Sequence, residues 1–95
     1  MTDSVRLQSD DVVEINPMYL YRWEEPQQAH VLLYPEGVVK LNETAAAILG
    51  HCRDSQPVSA VVDALVTLYG THEVEDDVRD FLHTALDKGW IRVKR

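Results

Sequence analysis

Leu32-Leu33-Tyr34-Pro35-Glu36-Gly37-Val38-Val39-Lys40-Leu41-Asn42-Glu43-Thr44-Ala45-Ala46-Ala47-Ile48-Leu49 decides the fold. It reads as a strand, a tight turn, a second strand and a helix, with no linker between them. Residues 31–34 are a short apolar run, and Pro-Glu-Gly is turn chemistry. Pro35 presets φ, and Gly37 tolerates the positive φ that a turn or bulge demands. Val38-Val39-Lys40-Leu41 returns as a strand rich in β-branched residues. Asn42 then offers its side-chain oxygen to the free N–H groups of a helix that begins at Glu43. An edge strand that runs straight into a helix, with no catalytic side chain beside it, points to a surface built to hold another chain.

Outward from this stretch, Pro17 introduces a strand over residues 18–23, residues 24–28 turn, and residues 29–34 form the next strand. Connections this short cannot make the crossover of a parallel pair, so the three strands form an antiparallel meander. Residues 1–14, polar and acidic, read as a flexible N-terminal arm preceding a single domain over 15–95. On the C-terminal side three helices follow. The first spans 43–52, with Ala45, Ile48, Leu49 and Cys52 on one apolar face. The second spans 58–69, where Val58, Val61, Val62, Leu65, Leu68 and Tyr69 fit a helical period and Gly70 supplies the stop. Thr71 caps the third, whose stripe is Val74, Val78, Phe81, Leu82, Ala85 and Leu86, with Lys88 and Gly89 closing it. Residues 90–93 read as an extended tail lying back on the domain. The expected class is α+β: a three-stranded antiparallel β-meander followed by a three-helix bundle, like a winged helix-turn-helix with the sheet placed first.

Composition narrows the function. Ninety-five residues make one small domain, able to bury roughly 60–70% of the surface its unfolded chain exposes. No apolar run approaches the about 18 residues of a membrane span, and residues 1–6 lack the basic and apolar regions of a signal peptide. A single cysteine, Cys52, excludes an intramolecular disulfide framework. A cytoplasmic location is therefore expected. The net charge of −7 opposes binding to a phosphate backbone. The second helix carries no basic residue, and the third carries Arg79 and Lys88 among many more acids, so no recognition helix is available for nucleic acid. The acids Glu73, Glu75, Asp76, Asp77 and Asp80 crowd the start of the third helix, where they complement its dipole.

Catalytic and metal patterns are missing. His51 and Cys52 are adjacent, so on a helix their side chains point about 100° apart. His30, His72 and His83 fit no metal-ligand spacing. Ser55 lies between Asp54 and Gln56 in a polar turn, and no nucleophile elbow, phosphate loop or dinucleotide fingerprint occurs. The carboxylates of Asp76 and Asp77 fall in an exposed first turn rather than in the desolvated setting a general acid needs. No enzyme, no cofactor and no metal are expected.

The central stretch also carries a resemblance. Leu-Leu-Tyr-Pro-Glu-Gly at 32–37, followed by Leu-Asn-Glu-Thr-Ala-Ala-Ala-Ile-Leu at 41–49, resembles the hallmark of the PqqD family of pyrroloquinoline quinone (PQQ) biosynthesis. The likeness continues through Val58-Ser59-Ala60-Val61-Val62, residues 65–70, Val74, Asp77-Val78, Phe81-Leu82, Leu86 and Gly89-Trp90-Ile91, and so covers about 15–91. It departs at Arg53-Asp54-Ser55-Gln56-Pro57, where relatives often carry an acidic-Gly turn.

This resemblance implies a peptide chaperone or adaptor that does no chemistry itself. Its implied partners are the ribosomal precursor peptide PqqA and the radical S-adenosylmethionine enzyme PqqE, to which the peptide is presented. Related domains serve as leader-peptide recognition elements for other modified peptides. The last strand of a meander is an edge, whose unpaired N–H and C=O groups can accept a further strand. The peptide is accordingly placed along Val38, Val39, Lys40 and Leu41, with Arg79, Leu82, His83 and Leu86 of the third helix facing it. A different class of function remains open: a structural homodimer paired through the edge strand or the N-terminal arm.

Overall fold

The computed structural model describes residues 6–94. In chain order the elements are β1 (Val12–Ile15), β2 (Leu20–Glu24), β3 (Ala29–Tyr34), β4 (Gly37–Lys40), α1 (Glu43–His51), β5 (Gln56–Pro57), α2 (Val58–Tyr69), a 3-10 turn (His72–Val74), α3 (Glu75–Asp87) and β6 (Ile91–Lys94). The α+β class and the meander stand as read: β2, β3 and β4 lie side by side, each pair antiparallel. The helix starts follow from local chemistry. Asn42 Oδ1 accepts the Ala45 N–H at 2.8 Å, and Thr71 Oγ1 accepts that of Glu73 at 3.1 Å. Gly70 ends α2 at φ 72, in the left-handed region that glycine enters without strain.

Beyond the meander there is a second sheet, in the order β5-β1-β6. It overturns the mobile-arm expectation over the described part of 1–14; residues 1–5 lie outside the described residues. Leu7 and Val13 are buried in the core, and β1 pairs antiparallel with both β5 and β6. The pairing sets Glu14 opposite Arg92, so the partner of β1 comes from the far end of the chain. The expected C-terminal tail is thereby a sheet strand. The N-terminal segment also caps α2, which starts at a proline-capped end with no side-chain acceptor. Asp11 O and Ser9 O take the Val58 and Ser59 N–H groups at 2.8 and 2.9 Å, satisfying donors that a helix start leaves without partners.

A second correction concerns Gly37. Its φ is not positive, and the Pro35–Glu36 turn closes without any left-handed residue. The left-handed positions fall instead at Gln28, Ser55, Gly70 and Gly89. The core gathers Leu32 from the meander, Ile48 and Leu49 from α1, Val61 and Leu65 from α2, Val78 and Leu82 from α3, and Val13 and Ile91 from the second sheet. One hydrophobic assembly therefore holds both sheets against the three helices. No described helix is long and apolar enough to cross a membrane.

Candidate functional site

β4 has a paired side and an open side. The Leu41 N–H donates to His30 O at 3.0 Å, and the register runs Val31↔Lys40, Leu32↔Val39, Leu33↔Val38. Antiparallel ladders alternate, so the hydrogen-bonded pairs with β3 are those of Leu41, Val39 and Gly37. The main-chain N–H and C=O groups of Val38 and Lys40 therefore turn to the other side, where no described strand pairs with them. That side is the sheet edge.

The side chains of β4 divide between two faces. Val39 is half-buried and packs on the core, and Leu41 is buried within it. Val38 and Lys40 point outward. Across the outer face Leu20, Leu33 and Val38 stand opposite one another in a row, with Leu20 and Val38 each 56% exposed. The next row is Arg22, Val31 and Lys40. Its two long aliphatic stems flank Val31, which is buried although it lies outside the main core. A strand added to this edge would meet an apolar contact at Val38 and a cation at Lys40 on its outer face.

The four residues assigned on α3 separate in the same way. Leu82 is fully buried, so, like Leu41, it is core and offers no side chain to the surface. Leu86 is half-buried against the core. Arg79 and His83 do come together, but they hold the chain's own N-terminal segment. The Leu7 N–H donates to His83 Nε2 at 3.0 Å, which leaves the ring proton on Nδ1, and that N–H donates to Arg79 O at 2.9 Å. Arg79 Nη2 donates to Ser9 Oγ at 3.2 Å. A cleft of about 500 Å³ lies beside this contact, with Asp76, Asp80 and Asp87 among its walls. Val39, Leu41, Leu82 and Leu86 share one hydrophobic assembly, whereas the principal neighbours of β4 and α3 are β3 on one hand and α1, α2 and β6 on the other. Sequence reasoning missed Leu7 and Ser9; the only signal was a few apolar residues, Leu7 among them, scattered through a polar stretch.

The remaining chemistry-bearing side chains have structural posts. Cys52 is buried, which pushes its thiol up to about 12, so it stays protonated and inert. Tyr21 O–H donates to Ala46 O at 2.8 Å, while its ring stacks on His30 at 5.0 Å and carries the Arg53 guanidinium at 5.5 Å. His72 meets the Glu75 carboxylate at 2.6 Å on an exposed turn. Among the described residues no group of three His, Cys, Asp or Glu side chains is placed to hold a metal ion.

Fold and surface together define a small α+β module whose open feature is the unpaired edge of a three-stranded antiparallel sheet. The family profile of coenzyme PQQ synthesis protein D (PqqD) matches residues 29–91, and the chain belongs to that family. It is 48% identical over 86 residues to a PqqA binding protein of Methylococcus capsulatus, covering 90% of this chain and 92% of that one. It is 40% identical over 85 residues to a PqqA binding protein of Azotobacter vinelandii, covering 88% and 92%. Among solved structures it is similar to the solution NMR structure of the PqqD truncation of Methylobacterium extorquens PqqCD. That protein is described as a functional, stand-alone recognition element for ribosomally synthesized and post-translationally modified peptides. The TM-score is 0.72 at 25% identity, over 90% of this chain and 94% of the other.

Proposed function

We propose that this protein is a peptide adaptor of PQQ biosynthesis: it binds the precursor peptide PqqA by strand addition at β4 and presents it to the radical S-adenosylmethionine enzyme PqqE. The observation that carries this reading is the open edge at Val38 and Lys40, in a chain whose relatives at 48% and 40% identity are PqqA binding proteins. Two outward residues supply two donors and two acceptors, each bond worth about 0.5–1.5 kcal/mol net. Val38 and Lys40 sort the peptide's outer side chains, while Val39 and the α3 residues Arg79, His83 and Leu86 act on the helix side. Leu41 and Leu82 shape the wall from within the core. The protein does no chemistry of its own in this role, which it performs in the cytoplasm.

Titration with PqqA peptide, read by backbone amide shifts, tests this directly. Saturable binding with the largest changes at Val38, Lys40 and α3 is expected. Binding that leaves β4 unshifted overturns strand addition, and no binding with or without PqqE overturns the adaptor role. The Leu20–Leu33–Val38 row beside the edge, exposed at Leu20 and Val38, favours one competing occupant, a second copy of the chain paired through β4. Sedimentation would then show a dimer that PqqA dissociates.

A further inference from the structure

We propose that residues 7–9 are a built-in occupant of the α3 face assigned to the peptide, and that PqqA must displace this strap to engage Arg79 and His83. The inference rests on the peptide-binding reading above. The strap occupies this face through both its side chains and its main chain. Leu7 buries its side chain to 8% exposure and gives its N–H to His83 Nε2, and Ser9, two residues on, gives its hydroxyl oxygen to Arg79. The face is thus complementary to an extended segment with an apolar residue followed, two positions later, by a hydroxyl.

The way the strap is fastened allows it to lift. Ser9 O and Asp11 O stay on the start of α2, at 2.9 Å from Ser59 N and 2.8 Å from Val58 N. Gln8 and Asp11 lock the turn between them, with Gln8 N–H on Asp11 Oδ2 at 2.8 Å and Asp11 N–H on Gln8 O at 3.0 Å. Between Leu7 and α3, by contrast, there is one main-chain hydrogen bond and one apolar side chain. Leu7 can therefore leave His83, and the Ser9 hydroxyl can rotate away from Arg79, while the Gln8–Asp11 turn and the α2 cap stay in place. A binding face that is open in only a fraction of molecules has its apparent affinity reduced by that fraction.

The test uses the full chain and PqqA peptide, with wild type beside Leu7→Ala. In the wild type the Leu7 amide is protected when free, and its exchange should quicken at least about tenfold at peptide saturation. Leu7→Ala, with the strap loosened, should bind about tenfold more tightly. If the Leu7 amide stays protected in the complex and Leu7→Ala gains no affinity, the strap is a fixed part of the fold and the proposal fails while peptide binding stands. If Leu7→Ala does not fold, as judged by circular dichroism, the wild-type amide alone decides. If neither protein binds PqqA, the peptide-binding reading falls and the strap proposal falls with it.

Discussion

Glu14 joins three distant parts of the chain through one carboxylate. Oε2 accepts from Arg92 Nε at 2.7 Å and Oε1 from Ser55 Oγ at 2.8 Å. The Arg92 bond first and the Ser55 bond second hold its carboxyl below the ordinary glutamate range, against the opposing pull of burial. A folded-state pKa below the unfolded one stabilises the fold above the unfolded pKa, about 4.3 for Glu. That contribution disappears as pH falls through the folded value. The urea midpoint of wild type should therefore exceed that of Glu14→Gln at neutral pH, with the gap closing as the solution is acidified below about pH 4. A gap that does not change with pH would assign the effect to packing. Ser55 itself stands at φ 56, in the left-handed region where a side chain is strained. Ser55→Gly and Ser55→Ala both lose the bond to Glu14, but only glycine relieves the backbone. Thermal melts should find the glycine variant more stable than the alanine variant by about 1 kcal/mol.

Among the elements, β4 offers the sharpest contrast. Val38 turns its N–H to the open edge, while Val39 gives its own to the ladder with β3, following the alternation set by Leu41 and His30. Proline removes that donor and is tolerated on an edge strand where the N–H faces outward. Val38→Pro should keep the fold and weaken PqqA binding about tenfold or more, as the loss of a main-chain bond together with steric mismatch requires. Val39→Pro should instead damage the β3–β4 hairpin, visible as a lower melting temperature before any peptide is added. Equal effects of the two substitutions on binding and stability would mean that the peptide docks elsewhere. The Asn42 side-chain cap makes α1 sensitive in a different way. Asn42→Ala should cost about 1 kcal/mol in a urea titration, because the Ala45 N–H loses its acceptor.

At the scale of the whole molecule, stability rests on one core that every helix and both sheets enter. Leu65 sits in it fully buried. Leu65→Ala should cost about 2–5 kcal/mol, the range for truncating a packed leucine, and should lower the melting temperature without a change in the PqqA affinity of the molecules that remain folded. How much of this was legible in the sequence depends on how far each residue's partner lies along the chain. The hairpin at 29–41, the Asn42 cap, the period of α2 and the stop at Gly70 are short-range features, and each appears where the pattern places it. β1 was hidden because Val12-Val13-Glu14-Ile15 is only four residues long, and its partners are Arg92 and its neighbours on one side and Gln56-Pro57 on the other. The open edge of the site could be foreseen from strand order, but the duties of Arg79 and His83 could not, since their partners Ser9 and Leu7 lie 70 and 76 residues away. The meander, the helices and the family can be read from residue order alone, because they depend on turn chemistry, caps and periodicity between near neighbours. The second sheet, the burial of Leu41 and Leu82, and the strap over α3 emerge only in the folded chain, because they depend on which distant groups the core brings within hydrogen-bonding and packing range.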